Sequence, residues 1–310
     1  MDPHFKAMIE AQDAAQAGQQ TPPLDAIPPE MIRAGYRMQR QAQNQNAPKD
    51  VETRDLQVDG AVGKIGARLY TPSGAPAVTP GLVYFHGGGF AIGDLETHDG
   101  HCRRLAAHSG FRVLAVDYRL SPEHPFPAGH DDALAATRWA FDHAAEIGFD
   151  PKRIGVGGCS AGGNLAASVS IDMKGDPVRR LGFQMLLYPG IWPEQETASR
   201  QRLDGPILSK AAIAWFDKCL AVGDHPQRAR AMLGLADVAG TPPAFVVTAG
   251  YDPLQDEGRD YAARLNAAGV KAQHVHYPDL VHDFYIMGDV SPAVDDAAKE
   301  AAEAMRAALA

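Results

Sequence analysis

The 310-residue chain has a formal net charge of −9 at pH 7, with 45% apolar and 22% charged residues. That balance excludes wholesale disorder or a fibrous repeat, and an acidic chain without clustered Lys and Arg is not expected to take nucleic acid as a partner. No apolar run approaches a membrane span, and the N-terminus MDPHFKAMIEAQDAAQAGQQ lacks a basic segment followed by an apolar stretch, so the expectation is no membrane contact and a cytoplasmic protein.

Residues 1–48 are rich in Gln, Ala and Pro, with helical apolar spacing at Ile27, Met31, Ile32 and Tyr36 before a polar tail. They are read as N-terminal cap helices and a linker outside the main sheet. From residue 49 the pattern changes to short β-rich runs: VETRDLQV, GKIGARLY, GLVYFHG, FRVLAVDY, KRIGVGG and LGFQMLLYP. The first two meet around Gly60 as an antiparallel hairpin; the others are separated by helical segments such as DALAATRWAFDHAAE, which implies parallel pairing with right-handed crossovers. Residues 49–189 are thus the first part of a three-layer α/β core. Residues 190–240 are too long for a plain crossover and carry their own helix, SKAAIAWFDKCLAV, with Ser209 as its cap; they are read as an inserted lid. Residues 241–310 resume the core with the strands PAFVVTAG and KAQHVHYP, the helix EGRDYAARLNAAG and a C-terminal helix begun by Pro292. The whole predicts a mostly parallel sheet of about eight strands with a helical cap.

The stretch IGVGGCSAGGNL sets two nucleophiles side by side. Gly158, Ser160 and Gly162 fit Gly-x-Ser-x-Gly, where small flanking residues let strand and helix approach across a sharp turn. The register Gly157-x-Cys159-x-Ala161 also has small flanks, so spacing alone leaves a thiol open. A serine hydroxyl needs an imidazole to take its proton and a carboxylate to fix the imidazole's tautomer. On this architecture they follow in the order acid, then base, at strand carboxyl ends. Asp252 after PAFVVTAGY and His282 in LVHDF occupy such places. HGGGF, residues 86–90, follows a strand and supplies main-chain N–H groups for an oxyanion, joined by that of Ala161. His86 is read as tying down that loop. Cys102, Cys159 and Cys219, odd in number and widely spaced, suggest reduced thiols, with neither a disulfide framework nor a zinc site.

HGGGF, YRLSPEHPFPA, GCSAGGNL, DPLQDEGRDYAARLNAAGV and VHDF, in that order, resemble the hormone-sensitive-lipase-like (bacterial family IV) esterases of the α/β-hydrolase fold. The resemblance implies Ser160 as nucleophile, Asp252 as acid, His282 as base, and Gly87, Gly88 and Ala161 as oxyanion donors. It also implies a cap built from the N-terminal helices and the insertion, no cofactor or metal, and a small-molecule ester with a short to medium acyl chain as substrate. The family associates through the edge of the last strand, which implies a homodimer. One departure stands out: the family has Asp or Thr before the serine, where this chain has Cys159, expected to pack behind the elbow and face away from the groove. An amidase or lactonase would share the triad, and a non-catalytic ligand-binding protein would share the scaffold, but with a damaged triad.

Rival groups have simpler readings. Asp256, Glu257 and Asp260 read as helix-start acids favoured by the dipole, Asp283 as solvated or a loop anchor, and His274 with His276 as one strand face lacking a third metal ligand. His98, His101 and His108 fall on a helix with surface or packing roles. Trp192, Ile207, Leu208, Trp215 and Phe216 are proposed pocket residues.

Overall fold

The computed structural model describes residues 1–18, 22–193 and 195–310. In chain order the elements are α1 (Pro3–Gln16), α2 (Pro29–Ala42), β1 (Val51–Asp59), β2 (Lys64–Pro72), β3 (Thr79–Phe85), α3 (Leu95–Ser109), β4 (Arg112–Val116), α4 (Ala128–Asp142), α5 (Ala144–Ile147), β5 (Phe149–Cys159) and α6 (Ala161–Asp172). There follow β6 (Phe183–Leu187), α7 (Ala198–Arg202), α8 (Lys210–Leu220), β7 (Ala244–Tyr251), α9 (Gln255–Ala267), β8 (Ala272–Val281) and α10 (Pro292–Leu309). The sheet runs β1-β2-β4-β3-β5-β6-β7-β8. β1 and β2 pair antiparallel, as does β2 with β4, and every later pair is parallel. This is the α/β-hydrolase architecture, with the expected hairpin at one edge and β8 at the other.

The central strands are buried on both faces, so they read as continuous apolar runs rather than alternating ones. β3 is buried throughout. Its Leu82 and Tyr84 join the core beneath α3 and α10, while Val83 and Phe85 join the core beneath α4, α6 and α9. Helix signals are local. Asp94 and Thr97 form a capping box at the start of α3, and Ser209 accepts from the Ala212 N–H to open α8. The single helix expected over residues 132–146 breaks at His143, whose ring stacks on Trp139 with centroids 4.4 Å apart and whose Nδ1 meets the Trp139 carbonyl. Ile27 lies outside the helix it was read with: α2 begins at Pro29, with Pro28 as its N-cap, and the fixed φ of proline suits a helix start.

α2 is fastened across the carboxyl ends of the strands. Arg33 donates to the carbonyls of Ala91 and Ser121 and pairs with Glu123 at 2.7 Å, and Arg37 donates to Asp94. α7 and α8 come from the segment between β6 and β7. Among the described residues no helix is long and apolar enough to cross a membrane.

Candidate active site

β5 ends at Cys159, and the chain turns through Ser160 into α6. Ser160 has φ 53° and ψ −117°, a conformation costing a side-chain-bearing residue about 1–3 kcal/mol, so it persists only where the surroundings over-determine it. They do so here. The Ser160 N–H donates to Leu187 O at 2.9 Å, and its carbonyl accepts from the N–H groups of Asn164 and Gly190. A Cβ at Gly158 would fall on the Gly162 backbone, and one at Gly162 on the Phe85 carbonyl, so both positions require glycine.

Asp252 follows β7 and His282 follows β8, at the same end of the sheet as Ser160. His282 Nε2 lies 2.9 Å from Ser160 Oγ, and Nδ1 lies 2.7 Å from Asp252 Oδ2. The other Asp252 oxygen accepts from the Leu254 N–H at 2.8 Å. With a carboxylate on Nδ1, the imidazole carries its proton there and leaves Nε2 free to accept from the serine. Burial pushes His282 toward lower pKa, but the charge and hydrogen bond of Asp252, with a further contribution from Asp283, hold it above the ordinary value.

The glycine loop corrects one expectation. The Gly87 N–H donates to His98 Nε2 at 3.0 Å, so it is committed to the interior and is not an oxyanion donor. Gly88 (φ 110°) and Gly89 (φ 58°) line the cavity beside Ser160. Among the described residues the N–H groups of Gly88, Gly89 and Ala161 have no hydrogen-bond partner. A Cβ at Gly88 would strike the Ile92 carbonyl and one at Gly89 the Phe216 ring. His98 was read only as a helix residue; nothing in its own segment signals a partner eleven positions upstream. Its tautomer follows from the bonding network: Thr97 Oγ1 donates to Asp94 O, so His98 Nδ1 donates to Thr97 and Nε2 offers its lone pair to Gly87. Burial, aided by His86, His101 and Arg40 nearby, pushes His98 well below its usual pKa and keeps it neutral. Cys159 Sγ lies 3.2 Å from the same Nε2 and is fully buried. Burial and the Asp283 charge push that thiol up to about 12, which makes it a packing residue rather than a thiolate nucleophile. His86 does tie the loop down: Nδ1 donates to Gly87 O, and its ring stacks on Tyr118, whose hydroxyl donates to His86 O.

A cavity of about 240 Å³ opens over Ser160 and His282, walled by Tyr36, Ile207, Leu208, Trp215 and Phe216. Trp192 does not join them. Its indole donates to Asp217 and borders a separate hollow of about 150 Å³. A larger crevice of about 310 Å³ near Met173 and Pro242 lies at the amino ends of β6 and β7, far from these groups. Two acids do more than their local sequence suggested. Glu257 is buried and accepts from the N–H groups of Ile191 and Trp192 and from Arg200 Nε, pinning the start of the insertion. Asp283 is not solvated: only 6% exposed, it accepts from Tyr36 Oη at 3.0 Å and from Arg40 at 3.4 Å. His274 and His276 both meet the Thr248 hydroxyl. Among the described residues no group of His, Cys, Asp or Glu could hold a metal ion.

Comparison with known proteins adds to this geometry. A family described as having the α/β hydrolase fold matches residues 82–286. Esterase LipI of Mycobacterium tuberculosis is 40% identical over 300 residues, covering 92% of this chain and 93% of the relative. Ethyl acetate hydrolase of Pseudomonas putida is 30% identical, with 99% and 98% covered. The solved structure of ester-hydrolase EH1AB1 from the Lake Arreo metagenome is similar at a TM-score of 0.92 and 41% identity, covering 98% of each chain.

Proposed function

Given that the chain belongs to the α/β-hydrolase-fold family, in its hormone-sensitive-lipase-like branch, we propose that it is a serine carboxylesterase acting on short to medium acyl esters through Ser160, His282 and Asp252. The observation that carries this reading is the unbroken relay from Ser160 Oγ to His282 Nε2 and from His282 Nδ1 to Asp252, at 2.9 and 2.7 Å. His282 takes the serine proton as Oγ attacks the ester carbonyl. The N–H groups of Gly88, Gly89 and Ala161 receive the developing oxyanion. The imidazolium then protonates the departing alcohol, and the acyl chain stays on Ser160. Water delivers its proton to the same Nε2, attacks the acyl carbon, and releases the acid as the proton returns to Oγ.

Substrate size rests on the cavity, whose 240 Å³ suits a small ester, and on relatives named ethyl acetate hydrolase and acetyl esterase. Residues 1–48 and 190–240 together form the cap over it, with α2 and α8 contributing its walls. The exposed edge of β8 supports a homodimer, which sedimentation over a concentration series tests. Labelling with a fluorophosphonate followed by peptide mapping tests the nucleophile: modification confined to Ser160 is expected, and modification of Cys159 or neither residue refutes the assignment. Parallel assays of matched ester, amide and lactone, with a p-nitrophenyl chain-length series, test the substrate class. Preference for the amide, or for long-chain emulsified triglycerides, would overturn it.

A further inference from the structure

We propose that Asp283, anchored by Arg40 and Tyr36 of the cap helix α2, is a positioning residue that stabilises the protonated His282 imidazole from its Ser160 side; the inference rests on the serine-hydrolase reading. Asp252 addresses Nδ1. Asp283 Oδ1 lies 3.7 Å from the opposite nitrogen, Nε2, which carries the proton in the imidazolium of both half-reactions. That oxygen is buried and has no hydrogen-bond partner among the described residues, while its companion Oδ2 is held by Tyr36 Oη and Arg40. The backbone is committed to this placement: Asp283 has φ 65°, the left-handed region that Asp enters more readily than most side chains.

The sign of each contribution follows from the charges. A carboxylate facing Nε2 favours the protonated ring, and a guanidinium behind that carboxylate opposes it, so the cap helix moderates the effect it anchors. Arg40 is 3% exposed, which leaves little water between these charges to screen them. Other groups facing His282 are Asp252 from beyond β7, the Ser160 hydroxyl, and Tyr188 beyond β6 with its ring centroid 4.9 Å away. The Cys159 thiol and Tyr36 phenol lie beside Asp283, and burial holds both above their usual pKa, so neither changes charge near neutrality in step with the imidazole. The balance on His282 agrees: burial lowers it, Asp252 and then Asp283 raise it, and Arg40 lowers it.

The test is to follow the His282 imidazole resonances against pH in Asp283→Asn, Arg40→Gln and the double variant, with the acid limb of kcat/KM measured alongside. The midpoint is expected to fall by roughly one unit in Asp283→Asn, to rise in Arg40→Gln, and to return toward the wild-type value in the double variant. Arg40→Lys, which keeps the cation, leaves it in place. A role confined to folding would lower activity without moving the midpoint. An unmoved midpoint in Asp283→Asn, or shifts of the same sign in both single variants, overturns the proposal, and either single variant decides alone if the other fails to fold. Fluorophosphonate labelling of the wild-type protein separates the two readings. Midpoint shifts without labelling would remove the esterase assignment and leave this electrostatic pairing standing; labelling without shifts would do the reverse.

Discussion

Replacing His98 with alanine strips the Gly87 N–H of its acceptor inside a closed interior. An unsatisfied buried donor costs about 1–3 kcal/mol. The missing ring also leaves a void beside His86 and Tyr84, whose ring centroids lie 5.5 and 6.5 Å from it, adding roughly 2 kcal/mol. The total, about 4 kcal/mol, is smaller than the 5–15 kcal/mol stability of ordinary domains, so the variant folds. With an unfolding entropy of about 2.1 cal/mol/K per residue over 310 residues, the melting temperature drops by roughly 6 °C. Turnover suffers separately, because Gly88 and Gly89 inherit their aim from Gly87; a loss of roughly 10- to 100-fold in kcat is expected, below the cost of deleting an oxyanion donor outright. Calorimetry and steady-state hydrolysis of p-nitrophenyl acetate measure both. His98→Gln, which can present an amide oxygen to the same N–H, recovers most of the turnover. A folded His98→Ala protein with wild-type kcat would refute this account of the loop.

Ser160→Ala is expected to lower turnover on the order of 10^6-fold, read against active-site titration, whereas Cys159→Ala stays folded and active because that thiol is buried and protonated. The neutral imidazole is the base and its pKa is raised, so kcat/KM falls as pH drops through a midpoint above the ordinary value of about 6.5. The same shift favours the folded state fully below about 6.5, and that contribution is lost as pH rises through the folded value; stability measured by urea unfolding from pH 5 to 8 checks the sign. Glu257→Gln can keep both backbone N–H groups on its amide oxygen but breaks the buried pair with Arg200, costing about 3 kcal/mol in urea unfolding and raising KM. Gly88→Ala, which drives a methyl group into the Ile92 carbonyl, abolishes activity in any protein that folds.

The elbow, the strand-end places of Asp252 and His282 and the alternation of strands with helices were legible because each depends on local signals: glycines two residues either side of Ser160, and strand ends followed by DPL and VHDF. What escaped depends on distant packing. Gly87 was placed among the oxyanion donors because three successive glycines look equivalent, and only the fold turns the first toward His98. Glu257 has the signature of an acid in the first turn of a helix, and it is one, but the insertion folds back over it. Asp283 meets partners 243 and 247 residues away, a pairing without a local pattern. Trp192 was grouped with the pocket aromatics on residue type, and its bond to Asp217 turns it elsewhere.

The sheet order roots the nucleophile and the base unequally. Ser160 springs from a strand with neighbours on both flanks, whereas His282 hangs from the outermost one. Rims loosen before centres under mild chaotrope or warming, so hydrolysis should vanish while far-ultraviolet circular dichroism still reports an intact central sheet. Redesign for endurance should therefore reinforce the periphery near residue 282 before it touches the middle of the sheet.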